Sequence, residues 1–292
     1  MEWRQFVMDL DALQPERVEA VFSRNGAQAI TLSDAGDDPV LEPAPGETPL
    51  WGTTRITGLF AADADFSALR DELLRDLDLD ILPAHRIEDL AERVWEREWL
   101  NDFRPMRFGR RLWVCPAGLE PDNANSVVLR LDPGLAFGTG THATTKLCLE
   151  WLDSLDLRGK TVLDYGCGSG ILAIAALLLG ADSACGVDID PQAIQASKQN
   201  ADVNGVADKL TTLQDAEFLE GHFDVLLANI LAGTLIEQAR RVSDRLPQGG
   251  VLALSGILDG QVGDVIAAYR PWIQFDEPVF DDGWARLTGT RL

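Results

Sequence analysis

The sequence lacks the apolar run that a membrane span demands. Its longest, Ile171 to Leu179, has nine residues, less than half of the ~20 that cross a bilayer. The start, Met1-Glu2-Trp3-Arg4, lacks the basic-then-apolar order of a signal peptide, so a cytoplasmic location is expected. Cysteine is scarce. The four present, Cys115, Cys148, Cys167 and Cys185, form no C-x-x-C pair and are spaced too widely for a zinc ribbon or finger. The three histidines, His85, His142 and His222, stand apart from one another. Neither a metal site nor a disulfide framework is expected. Basic residues are few as well: 25 Lys+Arg face 47 Asp+Glu, a formal net charge of −22. Neutralising phosphates takes a basic face, which disfavours direct nucleic-acid binding. A basic partner would instead be attracted, and its association accelerated.

What is present is an ordinary globular composition, 46% hydrophobic and 25% charged over 292 residues, which at ~150 residues per domain suggests two domains. The first 90 or so residues read as a small α+β unit. Strands are expected at Trp3–Met8, Ala29–Leu32, Trp51–Phe60 and Ala84–Leu90. One helix carries Val18, Val21 and Phe22, and another, Phe66–Leu77, turns Leu69, Leu73 and Leu74 inward. The order βαββαβ suggests a ferredoxin-like sandwich. Between the second and third strands, Asp34–Pro49 is rich in Pro, Gly and acids and reads as a loop. Residues 91–105 are expected to form a linker helix, with Trp95 and Trp99 on one face. Arg104, Arg107, Arg110 and Arg111 then read as a solvated strand face.

Beyond about residue 125, apolar strands (Val127–Leu131, Thr161–Asp164, Ser183–Val187, Leu210–Leu213, Phe223–Ala228 and Val251–Ser255) alternate with helices (Lys146–Leu155, Ile171–Leu179, Pro191–Asn204 and Leu231–Leu246). This implies a parallel sheet wound on both faces, an α/β domain over 106–292. Within it, Val162-Leu163-Asp164-Tyr165-Gly166-Cys167-Gly168-Ser169-Gly170 joins a strand to a helix, the place where open α/β sheets bind ligands. The spacing is G-x-G-x-G rather than the dinucleotide G-x-G-x-x-G. Asp164 would repel a pyrophosphate and attract an ammonium group, while a carboxylate could sit at the following helix N-terminus. An amino-acid-like ligand satisfies both. Asp188 lies 18 residues after Gly170, at the end of the next strand, where a carboxylate accepts from two ribose hydroxyls. Asp190-Pro191 suits a helix cap.

Three further candidates follow. Asp215, after the third strand, can accept from an adenine amino group, with a plain loop acid as the alternative. Asn229 ends the fourth strand, where its amide oxygen can accept from a substrate amine, with a helix N-cap as the alternative. The segment Asp132 to Thr145, rich in Gly and Thr, can act as a lid with Phe137 as an apolar cover and Thr145 as a polar contact. His142, near a helix start, reads as structural.

These residues resemble a known family. D-Y-G-C-G-S-G with V-D-I-D-P is similar to the class I S-adenosylmethionine-dependent methyltransferases. A-F-G-T-G-T-H-A-T-T and L-L-A-N-I-L-A-G narrow the resemblance to the bacterial ribosomal protein L-eleven methyltransferases. It implies a Rossmann-like, doubly wound methyltransferase domain preceded by a ferredoxin-like substrate-recognition domain over 1–90. It implies S-adenosylmethionine as cofactor and ribosomal protein L-eleven as partner, with trimethylation of its lysine side chains and N-terminal amine. Cofactor contacts carry over to Thr145, Gly166, Asp188 and Asn229. The residue reading adds Asp164, Gly168, Phe137 and Asp215, and gives Asn229 the catalytic role. The chain departs from amino-methyltransferases carrying N-P-P-Y, since Asn229 precedes Ile-Leu. Alternatives are a methyltransferase acting on RNA or a small molecule, a nicotinamide dehydrogenase, and a non-catalytic cofactor-binding module.

Overall fold

The computed structural model of the chain describes residues 3–10, 13–36, 52–90, 104–116, 118–121, 126–131, 142–216 and 219–292. The chain divides into two compact units, Met1–Trp99 and Leu100–Leu292.

The first unit runs β1 (Trp3–Asp9), α1 (Pro15–Arg24), β2 (Ala29–Asp34), β3 (Thr54–Ala61), α2 (Phe66–Leu77) and β4 (His85–Leu90). The strands form one sheet in the order β2-β3-β1-β4, every pair antiparallel. This is the expected βαββαβ sandwich. Phe6 and Met8 alternate onto one face of β1 and meet Val18, Phe22, Leu69 and Leu73 from the two helices. Asp65 starts α2 by accepting from the Ser67 and Ala68 amides at 3.0 and 3.2 Å. Most of the proline-rich loop and residues 91–103 of the expected linker helix lie outside the described residues. Arg104 and Pro105 are not helical.

The second unit opens with β5 (Met106–Phe108), β6 (Leu112–Cys115) and β7 (Val127–Arg130), a separate three-stranded sheet. The expected strand near Val127 is therefore present but belongs to this small sheet. The arginine cluster is only partly a solvated face, since the Arg111 amide and guanidinium both turn to the buried Asp153 carboxylate.

The main domain follows with α3 (Ala143–Ser154), β8 (Thr161–Tyr165), α4 (Ile171–Leu178), β9 (Ser183–Val187), α5 (Pro191–Val203), β10 (Leu210–Leu213) and β11 (Val225–Asn229). It continues with α6 (Ala232–Glu237), α7 (Ala239–Ser243), β12 (Val251–Leu258), α8 (Val262–Tyr269), β13 (Ile273–Phe275), β14 (Val279–Asp281) and β15 (Trp284–Arg291). The sheet order is β10-β9-β8-β11-β12-β15-β13, with β14 on β15. One core layer gathers Leu149, Leu152, Ile174 and Ala201 from α3, α4 and α5, the other Leu235, Val242 and Val265 from α6, α7 and α8.

Two expectations need correction. The sheet is parallel only from β10 to β12; β15 runs antiparallel to β12, β13 and β14. The cause is local. Asp282 and Gly283 take φ of 50° and 75°, a two-residue turn whose twist matches a hairpin and reverses the chain. The single helix expected over Leu231–Leu246 is instead two short ones, α6 and α7, broken at Gln238.

Candidate active site

The site is built at the C-terminal ends of β8, β9 and β11. Past β8 the chain must turn sharply into α4, and Gly166, Gly168 and Gly170 all take positive φ. At Gly166 the need is double. Its φ is +81°, and an added Cβ would stand 2.2 Å from Ile230 Cγ2. The Gly166 and Cys167 amides donate to the Val187 carbonyl at 2.7 and 3.0 Å. Ser197 Oγ donates to the Gly168 carbonyl at 2.9 Å, and Asn200 Nδ2 to the Ser169 carbonyl at 2.8 Å. The turn is thus held from β9 and from α5.

Asp188 follows β9. Its Oδ2 accepts from the Gly168 amide at 2.9 Å and its Oδ1 from the Asp190 amide at 3.0 Å. Each oxygen keeps a lone pair for a ligand, with the carboxylate orientation fixed beforehand. Asp190 has the capping role read from sequence, accepting from the Gln192 amide at 2.8 Å.

Asp164 lies beneath the turn, 1% exposed. Its Oδ2 accepts from the Ala173 amide at 3.1 Å, while its Oδ1 is buried with no partner. Burial, with Asp188 adding repulsion, pushes its carboxyl up to about 7. Cys148 and Cys167 are buried and pushed up to about 12 by desolvation, so both stay thiols.

Asn229 ends β11. The next helix takes Leu231 as its N-cap, so Asn229 is not a cap. Its Nδ2 donates to Thr145 Oγ1 at 3.4 Å. Three residues before Thr145, His142 is the N-cap of α3, with Nδ1 facing the Thr144 amide at 3.4 Å and Thr144 Oγ1 at 2.8 Å. That is the structural role read for it. Its ring meets Trp284 edge-to-face, with centroids 5.0 Å apart and planes at 66°.

A cavity of about 590 Å³ gathers these groups, within the range of small-molecule sites. Gly166, Gly168, Asp188, Asp215, Thr145 and Asn229 all line it. Asp164 does not; it sits one layer below the turn, because it precedes the end of its strand. Phe137 lies outside the described residues. Several lining residues were not singled out from sequence. Leu231, Thr234, Gln238 and Arg241 line the cavity from the α6–α7 segment, spaced three, four and three apart as one helical face requires. Ile189 is 87% exposed at the rim, and its place between Asp188 and Asp190 was the available signal. Gly256 and Trp284 come from β12 and β15, and no local motif marks them. Among the described residues no group of three His, Cys, Asp or Glu is placed to hold a metal.

The donor groups suit a ligand with two separated polar ends. The unpartnered Asp164 oxygen beneath the glycine turn suits an ammonium, and the oriented Asp188 carboxylate suits a vicinal diol. The absence of a Cβ at Gly166 lets the Ile230 side chain pack directly against the turn.

Comparison with known proteins places this geometry in context. The family model described as ribosomal protein L11 methyltransferase (PrmA) matches residues 2–292. A curated ribosomal protein L11 methyltransferase from Escherichia coli O81 (strain ED1a) is 50% identical over 292 residues, covering 100% of both chains. One from Actinobacillus pleuropneumoniae serotype 3 (strain JL03) is 49% identical with the same coverage. The crystal structure of a ribosomal protein L11 methylase from Lactobacillus delbrueckii subsp. bulgaricus superposes with a TM-score of 0.61 at 32% identity. It covers 65% of this chain and 99% of that one.

Proposed function

Because the chain belongs to the ribosomal protein L11 methyltransferase family, we propose that the cavity at the ends of β8, β9 and β11 is where its methyl transfer takes place. The protein is an S-adenosylmethionine-dependent protein methyltransferase acting on ribosomal protein L11. The observation that carries the site assignment is the convergence, in one cavity, of the Gly166–Gly168 turn, the oriented Asp188 carboxylate and the Asn229–Thr145 pair.

When bound, S-adenosylmethionine supplies the activated methyl group. The chain's own residues do the rest. Asp188 accepts from the ribose hydroxyls, and Asp215 from the adenine amino group. Asp164 acts on the methionyl ammonium from one layer beneath the glycine turn, through charge rather than contact, while the first turn of α4 offers amides to the carboxylate. Asn229, steadied by Thr145, turns its amide oxygen to an N–H of the acceptor and aims the nitrogen lone pair.

The acceptors in this reading are lysine side chains and the N-terminal amine. A lysine has a pKa of ~10.4 in water and attacks only as the neutral amine, and desolvation at a wall with a neutral amide assists proton loss. No dedicated base is required of the wall. Residues 1–90 serve as the substrate-recognition domain and 106–292 as the catalytic domain. Direct nucleic-acid contact is not part of this reading, given the net charge of −22. Among the described residues no helix is long and apolar enough to cross a membrane, and a ribosomal-protein substrate fits a cytoplasmic place of action.

The test is direct. The protein is incubated with a methyl-labelled donor, total ribosomal proteins and ribosomal RNA, and the labelled band and residues are identified. Label on the amines of L11 supports the reading. Label confined to RNA, or to oxygen or carbon atoms of L11, overturns it.

A further inference from the structure

Across the cavity rim the residues follow the sheet order: Asp188 after β9, Gly166 after β8, Asn229 on β11, Gly256 on β12 and Trp284 on β15. The carboxylates of the lining, Asp188 and Asp215, lie at the β9–β10 side. On the β12 and β15 side of Asn229 the described lining residues of the sheet are Gly256 and Trp284, with His142 beside them from α3, and none is a carboxylate; the α6–α7 segment adds Arg241 and neutral residues. Trp284 is held there from two directions. Its strand is anchored in the hairpin turn at Asp282-Gly283, with Asp281 opposite Trp284. Its ring packs on His142, the residue that caps the same helix whose Thr145 bonds Asn229. Lys146, one residue further, bonds Asp281 at 2.7 Å and ties the hairpin to α3. An aromatic ring is thereby fixed on the Asn229 side of the cavity, opposite the acids.

We infer that Trp284, braced by His142, is the wall that receives the acceptor nitrogen and the positive charge it gains, and that its share grows with each methyl group the nitrogen carries. This rests on the amine-methyltransferase reading above. In the transfer the nitrogen lone pair forms the new N–C bond. The S–C bond breaks with its electrons kept by sulfur, so the positive charge moves from sulfur to nitrogen. A primary amine has N–H bonds for the Asn229 oxygen, and loses a proton to water afterwards. A dimethylated amine has none, so Asn229 can no longer hold it. An electron-rich ring needs no N–H and attracts a substituted ammonium through its quadrupole. A carboxylate in this place would pair strongly with the protonated, unreactive amine, whereas a ring attracts the same positive charge more weakly and holds an alkylated ammonium without needing an N–H.

The experiment uses the full-length chain with ribosomal protein L11 in two forms, unmethylated and with its amines reductively dimethylated. Single-turnover transfer is measured for wild type, Trp284→Leu and Trp284→Phe. Inhibition by tetramethylammonium and by neutral tert-butanol is measured alongside. Trp284→Leu is expected to slow transfer to the dimethylated form about tenfold more than to the unmethylated form, and Trp284→Phe to restore most of the difference. Wild type is expected to be inhibited by tetramethylammonium at a concentration about fivefold lower than by tert-butanol, and Trp284→Leu to lose that preference. Should the leucine variant not fold, Trp284→Met carries the same comparison. Equal slowing of both acceptor forms, or a tetramethylammonium preference that survives loss of the ring, overturns the inference. A wild-type chain that methylates neither form would instead overturn the amine-methyltransferase reading itself.

Discussion

The side-chain amide of Asn229 donates to the Thr145 hydroxyl at 3.4 Å, joining residues 84 positions apart. Thr145 is buried in the first turn of α3, and Asn229 ends β11. The contact leaves the amide oxygen of Asn229 free for an incoming amine and fixes the plane from which it acts. Orientation of this kind lowers a barrier without adding a charged group.

Asn229→Ala should therefore reduce turnover more than donor affinity. A misplaced acceptor costs about 10²-fold in rate, while calorimetric affinity for S-adenosylmethionine should change only severalfold. Thr145→Val should show a milder version of the same split. Equal falls in rate and affinity would remove the catalytic assignment.

Asp188→Ala should weaken donor binding at least tenfold, because two ribose hydroxyls lose a charged acceptor and hydrogen bonds to charged groups contribute ~1.5–3 kcal/mol each. The Gly168 and Asp190 amides lose their acceptor as well. Asp188→Asn, which keeps one acceptor oxygen, should fall between. Calorimetry showing wild-type affinity for the alanine variant would end the ribose assignment.

Asp164 is expected to tie stability and donor binding to pH in opposite senses. Its folded carboxyl lies near 7, above the ordinary 3.8, so the folded chain holds the proton more tightly than the unfolded one. The contribution is most favourable below about pH 4, and stability is lost as pH rises from there through 7. A bound ammonium favours the ionised form, so donor affinity should rise over the same upper range. Asp164→Asn should flatten the pH dependence and raise Tm by a few degrees at pH 8, while weakening the donor. Melting curves from pH 5 to 8 that run parallel for wild type and variant would contradict this.

Gly166 and Gly256 both press on Ile230, but on different atoms. A Cβ at Gly166 meets the Ile230 side chain at 2.2 Å, whereas one at Gly256 meets its carbonyl oxygen at 2.3 Å. Either alanine substitution adds left-handed strain of ~1–3 kcal/mol and a clash. Ile230→Ala should relieve part of the cost of Gly166→Ala and none of that of Gly256→Ala, as read by denaturant unfolding. Equal rescue of both would show that the turn moves as a body.

Removal of residues 1–90 should leave donor binding near normal and abolish most transfer to L11. Every cavity-lining residue named here lies at 142 or beyond, within a unit that has its own sheet and two core layers. Comparing affinity with transfer rate for the full and shortened chains decides it, and an unchanged rate on L11 would remove the recognition role from the first unit.

Much of this protein is legible residue by residue. The βα turns, the helix Phe66–Leu77, and the strands Ser183–Val187 and Leu210–Leu213 follow from period, caps and glycine placement. So does the nearness of Asp188 to the glycine turn, since a βαβ unit places consecutive strand ends side by side. These signals are short-range in the chain, and short-range physics sets them.

The tertiary structure decided what no window could show. Whether Asp164 faces ligand or lies beneath the turn depends on how β8 seats against α4. The Asp282-Gly283 turn is a local signal for a reversal, but that β15 then pairs with β12 and β13 and makes the sheet mixed was settled by packing. Trp284 joins His142 from 142 positions away, and Asn229 joins Thr145 from 84. Those distances are closed by strand order, and strand order is settled by which faces bury together across the whole domain. Sequence thus determined the parts and most of their chemistry, while packing decided which parts share a cavity.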